Sequence, residues 1–319
     1  LTHIRTNNEI ITSFIVYFFG TNYLSVLSKA STPDGGGQGN LNVKIVNRFL
    51  IPTPPLLEQQ TIADYLDIKT AQIARKIDLL TQKASLYSKL KQSLINETVT
   101  RGLDKTVPMK DSGAEWIGEI PAHWQIKRIA DIAIQNKVKN SGLIEKNLLS
   151  LSYGRIIRKD FNTSFGLLPE SFETYQIVKT GSIILRLTDL QNDQKSLRVG
   201  LVREKGIITA AYLGLCFHRS INPIFAYYLL HVYDLCKVFY WFGGGLRSTM
   251  RFDDIKVIPF VLPPTIAEQQ TIANYLDEKT AQIDQIIQTI NSQIDKLKEL
   301  RKALINDVVT GKIKITGTQ

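Results

Sequence analysis

The sequence predicts an α+β protein: mixed α/β globular regions joined by two long helices that pair as an antiparallel coiled coil. Three observations lead there. The string Glu58 to Ile73 recurs as Glu268 to Ile283, differing only at positions 64/274 and 68/278. After each copy, apolar residues continue at alternating spacings of three and four. Between the copies lies a stretch of different composition, rich in glycine, aromatics and short β-prone runs. Two copies at so long a period are not a solenoid, whose repeats run about 20–50 residues and need three or more copies to share a core. They read as a duplicated module.

In chain order, residues 1–55 come first. Ile10 to Leu27 is apolar enough to mimic a membrane span, but Thr12, Ser13, Gly20, Thr21 and Asn22 interrupt it, so a buried core helix is expected. Phe14–Phe19 matches Phe225–Leu230, Gly35–Gly37 matches Gly243–Gly245, and Ile51–Pro55 matches Val261–Thr265. Followed back, Leu1 falls near Tyr212, so this segment reads as the C-terminal remnant of a first globular copy. No basic-then-apolar leader is visible at Leu1 to Glu9.

Residues 56–103 are expected to form the first long helix and 265–319 the second with its tail. The seam positions are Ile73, Ile77, Leu80, Ala84, Tyr87, Leu90 and Leu94 in one, and Ile283, Ile287, Ile290, Ile294, Leu297, Leu300 and Leu304 in the other. That spacing belongs to coiled coils, and helices of about 40 residues would each be about 60 Å long. Long helices draw their stability from packing an apolar face, so two matched seams in one chain predict an intramolecular antiparallel pair. Thr265-Ile266-Ala267-Glu268 after Pro263-Pro264 reads as a capping box. The first copy has Pro54-Pro55 but no Ser or Thr cap, and Gly102 and Gly311 mark the ends.

Residues 104–264 read as a complete α+β domain. Strands are expected at 146–152, 175–178, 182–187, 200–203, 207–210, 214–218 and 257–262, with turns at Lys179–Ser182 and Glu204–Gly206. Asn222-Pro223 starts a helix, Asn as the cap and Pro at the first position.

The chain carries 39 basic and 29 acidic residues, a formal charge of +10 and pI about 9.4, which favours an acidic partner such as nucleic acid. A 44% hydrophobic content and mean hydropathy of −0.05 argue against a membrane protein. Two cysteines, Cys216 and Cys236, make no disulfide framework and fit a reducing cytosol. Four scattered histidines make no metal site. Asn222-Pro223-Ile224-Phe225 misses the adenine-methylase loop at its third position, and no glycine-rich cofactor turn accompanies it. Asp189 with Asp193-Gln194-Lys195 is too short a charged pattern to carry nuclease chemistry. Gly35–Gly39 and Gly243–Gly245 lack the Lys-Ser/Thr of a nucleotide-binding loop.

Three features together resemble the specificity (S) subunits of type I restriction–modification enzymes. They are the Pro-Pro…Glu-Gln-Gln-x-Ile-Ala-x-Tyr-Leu-Asp motif at 54–67 and 263–277, the Ser112-Gly113-Ala114-Glu115-Trp116-Ile117-Gly118-Glu119-Ile120-Pro121-Ala122-His123-Trp124 segment, and the alternation of globular domain and long helix. The resemblance implies target-recognition domains that each read half of a split DNA site, with the helix pair fixing the gap. A rigid spacer turns two local contacts into one distance-selective contact. It implies a non-catalytic, cytoplasmic, bacterial or archaeal subunit that binds double-stranded DNA and recruits methyltransferase (M) and restriction (R) subunits. S-adenosylmethionine, ATP and Mg would be used by those partners only, with no cofactor on this chain. The sequence departs from the family's domain–helix–domain–helix order in lacking most of the first domain. Self-association through a second copy is therefore one expectation. A coiled-coil assembly protein, or an inactive recombination cassette, are the alternatives.

Base and phosphate contacts need exposed Arg, Lys, Asn or Gln. The candidate DNA-facing residues are Tyr153, Arg155, Arg158, Lys159, Arg186, Arg198, Tyr212, Arg247 and Arg251; apart from Arg186 the basic ones concentrate in expected turns, with Tyr153 and Tyr212 nearby in sequence. The resemblance adds Glu58, Gln59, Gln60, Glu268, Gln269 and Gln270 as a surface for docking the M subunit. Trp116 and Trp124 are expected to pack the domain's edge.

Overall fold

A computed structural model describes residues 6–21, 50–160, 171–190, 197–242 and 249–315. The fold is α+β, as expected. Helix α1 (Thr12–Phe19) is followed by the long α2 (Leu56–Arg101), and the chain closes with the long α7 (Ile266–Val309). These two are 46 and 44 residues long, somewhat more than the seam spacing suggested. Among the described residues no helix is long and apolar enough to cross a membrane; α1 has only 8 residues, and Asn22 to Leu27 lie outside the described residues.

Chain contacts divide the molecule into unit 1 (Leu1–Ser88 with Asp284–Gln319) and unit 2 (Lys89–Ile283), so the division falls inside both long helices rather than at their ends. In unit 1, Phe14, Ile15 and Phe18 of α1 pack with Ile62 and Leu66 near the start of α2 and with Val308 and Val309 at the end of α7. In unit 2, Ile95 and Val99 near the end of α2 share a core with Ile272, Ala273 and Leu276 near the start of α7. Within each unit, then, one long helix's start meets the other's end, as an antiparallel pair requires. Along the seam Ile283, Ile290 and Ile294 are buried, and Ile73, Ile77, Leu80, Ala84, Tyr87, Leu94, Ile287, Leu297 and Leu304 are half-buried. Leu90 and Leu300, at the same place in each copy, are instead exposed, so both helices turn this position outward.

The domain in unit 2 is built on an antiparallel sheet. Its order is β4 (Ala133–Gln135), β11 (Leu213–Phe217), β8 (Ile183–Leu185), β9 (Val199–Leu201). Short ribbons surround it: β1 (Met109–Asp111) with β2 (Glu119–Pro121), β5 (Leu149–Ser152) with β6 (Arg155–Arg158), and β7 (Gln176–Val178) with β10 (Gly206–Ile208). The ribbon of β3 (Gln125–Arg128) with β12 (Pro259–Leu262) pairs the chain entering the domain with the chain leaving it, Gln125 opposite Leu262. Small helices α3 (Ile129–Ile132), α5 (Val238–Trp241) and α6 (Phe252–Ile255) link the strands. Helix α4 (Pro223–Leu235) lies in the core with Phe225, Leu229 and Tyr233 buried. Asn222 caps it, its side-chain oxygen accepting from the amides of Ile224 and Phe225.

Five strands were not expected: β1 to β4 and β6. Charged, exposed ribbons such as β3, Gln-Ile-Lys-Arg with every residue exposed, show no apolar alternation for a sequence to reveal.

Candidate DNA-reading surface and helix joints

The hairpin β5–β6 gathers the largest group of candidate DNA residues. Tyr153 and Gly154 both have positive φ (46° and 75°), the geometry of a two-residue type I′ turn. Glycine is needed at 154 because a Cβ there would come within 2.9 Å of Leu197. Tyr153 sits at the tip, 81% exposed. Arg155, Arg158 and Lys159 are exposed on the returning strand and just after it. Arg158 is paired with Glu204, which raises the guanidinium's pKa and lowers that of the carboxyl. This pairing anchors β6 while leaving the tip in solvent.

Arg186 and Arg251 form a second locality, their neighbours joined by the Met250 amide donating to the Leu187 carbonyl at 2.9 Å. Arg251 is exposed and Arg186 half-buried. Tyr212 is half-buried against the cluster of Leu149, Val178 and Ile184. Arg247 and Gly243 to Gly245 lie outside the described residues, as do Gly35 to Gly39.

Arg198 is a correction. It is 0% exposed, and its guanidinium donates to the carbonyls of Arg186 (3.0 Å), Thr188 (2.9 Å) and Asp189 (3.3 Å) and to the Tyr240 hydroxyl (3.2 Å). It holds the 186–189 segment from inside and cannot face DNA. A buried charge is tolerated only when paired and hydrogen-bonded, and Arg198 spends its donors inside the domain.

The duplicated Glu-Gln-Gln segment is the second correction. Gln59 and Gln269 are 0% and 1% exposed, so neither belongs to a docking surface. The Gln59 side-chain oxygen accepts from the Ile11 amide at 2.8 Å, and its amide group donates to the carbonyls of Glu9 (2.9 Å) and Pro54 (2.8 Å). Gln269 repeats this with the Asn222 amide (2.8 Å) and the carbonyls of Ser220 (3.3 Å) and Pro263 (3.1 Å). Farther along each long helix a tyrosine closes the joint. Tyr17 donates to Asp67 at 2.6 Å beside Thr70, and Tyr228 to Asp277 at 2.8 Å beside Thr280. Burial, and then the neighbouring aspartate, raise the pKa of both phenols, Tyr228 by far the more.

The remaining members of the two triplets behave differently. Glu58 and Gln60 are exposed, Gln60 bonded to Asp64. Gln270 is exposed and accepts from the Asn222 side chain while donating to Asn274. Glu268 makes half of the expected capping box: its amide donates to the Thr265 hydroxyl at 3.2 Å. Its carboxylate turns instead to Trp124, whose indole N–H donates at 2.8 Å, and to His123. A buried indole N–H needs an acceptor, and Glu268 is the one in reach. Trp124 is 1% exposed; Trp116 packs edge-on against Trp241 and Phe242.

Sequence reasoning missed the tyrosine–aspartate closures. Their signal lay in the same register that aligns Phe14–Phe19 with Phe225–Leu230, which sets Tyr17 opposite Tyr228.

Among known proteins, residues 1–83 match the family described as type I restriction modification DNA specificity domain. The type I restriction enzyme MjaVIII specificity subunit of Methanocaldococcus jannaschii is 25% identical over 315 residues, covering 94% of this chain and 70% of that protein. The putative MjaX specificity subunit of the same organism is 23% identical over 288 residues, covering 87% of this chain and 62% of its own length. By fold, the chain resembles one from a study of complex assembly and conformational transition of the type I R-M system (TM-score 0.71, 17% identity, covering 97% of this chain and 74% of that one). It also resembles the HsdS subunit of Thermoanaerobacter tengcongensis (TM-score 0.53, 16% identity, covering 97% and 73%). Residues 1–83 thus match a type I restriction modification DNA specificity domain, and nearly the whole chain is similar in sequence to type I specificity subunits and in fold to the solved HsdS subunit.

Proposed function

We propose that the chain is the non-catalytic DNA-recognition subunit of a type I restriction–modification system, reading part of a bipartite site and scaffolding M and R subunits in the cytoplasm. The observation that carries this is the pairing of two matched helix joints with a domain that carries a basic hairpin tipped by an exposed tyrosine. A two-stranded ribbon fits the major groove of DNA, and the exposed Arg155 and Lys159 suit phosphates. Chemistry belongs to the partners: S-adenosylmethionine serves the M subunit, ATP and Mg the R subunit, and this chain binds no cofactor. Glu58, Gln60 and Gln270, the exposed members of the duplicated triplets, are candidates for M-subunit contact.

Self-association is part of the same reading. Light scattering of the complex with M subunits is expected to give two copies of this chain; a single copy would end that part of the proposal.

Co-expression with the cognate M subunit and genome-wide mapping of methylated adenines tests the whole. A recurring sequence with a fixed offset is the expected result, and no methylation above background would refute the reading. Arg155→Ala with Lys159→Ala should lower the slope of log affinity against log salt by about 2, near 0.9 for each phosphate no longer neutralised. An unchanged slope would move the interface elsewhere.

A further inference from the structure

Each joint is fastened at two places along its long helix. Gln269 holds the first turn of α7, and Asp277 with Thr280 hold Tyr228 eight and eleven residues on; Gln59, Asp67, Thr70 and Tyr17 repeat the arrangement on α2. At ~1.5 Å rise per residue, the second fastening lies about 12–16 Å along the axis. One fastening lets a helix swing about the contact point, whereas two on one face fix its direction. These fastenings are hydrogen bonds, directional in a way that apolar packing is not.

Helix capping does not explain the glutamines. Thr265 already caps α7, and each side-chain amide reaches out to carbonyls beyond the helix, at Ser220 and Glu9. Only an amide can accept from one backbone N–H and donate to two carbonyls at once. A glutamate there would set a carboxylate against two carbonyl oxygens.

We infer that Gln59 with Tyr17, and Gln269 with Tyr228, are positioning residues that set the direction in which each globular segment leaves its long helix, and so where the reading surface falls on DNA. The second clause rests on the DNA-recognition reading proposed above; the first does not.

The test uses the full chain with Cys216 and Cys236 replaced by alanine and spin labels at Ser141 and Gln282, both exposed in unit 2. Gln269→Glu is expected to at least double the width of the label–label distance distribution, and Tyr228→Phe to widen it less, with circular dichroism unchanged. In complex with the M subunit, affinity of the Gln269→Glu chain for the duplex found by methylation mapping should fall about tenfold, about 1.4 kcal/mol. The affinity ratio between that duplex and single-base-pair variants should stay the same. Should Gln269→Glu fail to fold, Tyr228→Phe carries the test, because it removes one hydroxyl and almost no volume. Unchanged distances would overturn the inference. Widened distances with unchanged DNA affinity, or an altered base preference, would overturn the role in reading. If the unsubstituted chain binds no duplex, the recognition reading fails while the distances still decide the joints.

Discussion

The joint in unit 1 and the joint in unit 2 use the same residues in different surroundings. Both have the buried glutamine, the tyrosine and the aspartate–threonine pair, with nearly equal distances. The helix that meets them differs. Asn222-Pro223 starts α4 with a side-chain cap, whereas Ile11 starts α1 with none. Tyr228 is buried and Tyr17 half-buried, and the Asn222 amide bond to Gln269 is buried where the Ile11 bond to Gln59 is partly wet. Unit 2 also carries His231 in its helix, at the place Gly20 holds in unit 1. One hydrogen-bond pattern therefore stands in a dry and in a damper setting, and the cost of breaking it should scale with dryness.

The largest effect should come from Gln269→Leu, which strands the Asn222 amide and two carbonyls. Buried polar groups left without partners cost about 1–3 kcal/mol each, so a loss of about 4 kcal/mol is expected for unit 2. Gln59→Leu should cost unit 1 about 2 kcal/mol, because water can reach part of its site. Denaturant melts followed by amide exchange in each unit would measure both, and equal losses would break the comparison.

Acid should separate the units next. Burial, and then the nearby Lys91 charge, lower the His231 pKa to about 4, and its Nδ1 has no partner among the described residues. The unfolded chain takes up that proton near pH 6.5, the folded chain only near 4. The stability is thus whole above 6.5 and is lost as pH falls from 6.5 towards 4, by about 3 kcal/mol at ~1.4 kcal/mol per unit. Unit 2 alone should weaken, and His231→Phe should flatten its profile between pH 7 and 4. A parallel loss in unit 1 would show that another group is responsible.

These contrasts also mark what the sequence makes legible. The long helices and their antiparallel pairing could be read because a 3-4 apolar rhythm is a local property repeated many times. The roles of Gln59, Gln269 and Arg198 could not, because burial of a polar side chain depends on backbone groups far away in the chain. Gln269 meets Asn222, 47 residues off, and Arg198 reaches carbonyls that only the fold turns inward. Sequence reasoning placed these residues on surfaces because polar residues usually lie there. The hairpin tip at Tyr153-Gly154 was readable as a turn, yet β6 was not, since Arg-Ile-Ile-Arg has no alternation to give it away.

The subtlest contrast is between the two tyrosines. Tyr228→Phe removes a hydroxyl that donates to Asp277 and touches Thr280 in a buried site, and about 1.5 kcal/mol should go with it, as for one hydrogen bond to a charged acceptor that keeps other partners. Arg203 stands 3.8 Å from the same carboxylate and keeps it from being left alone. Tyr17→Phe should cost about 0.5 kcal/mol, since water can replace its hydroxyl at Asp67. Alkali offers an independent reading. Both phenols are raised above their ordinary value of 10.0, so the stability they confer is whole below pH 10 and is lost as pH climbs towards their folded values. Tyr228, raised much further, should therefore dominate the alkaline weakening, and Tyr228→Phe should blunt it where Tyr17→Phe barely does. If both substitutions cost the same and blunt the alkaline limb alike, dryness is not what distinguishes the joints, and their common geometry alone sets their strength.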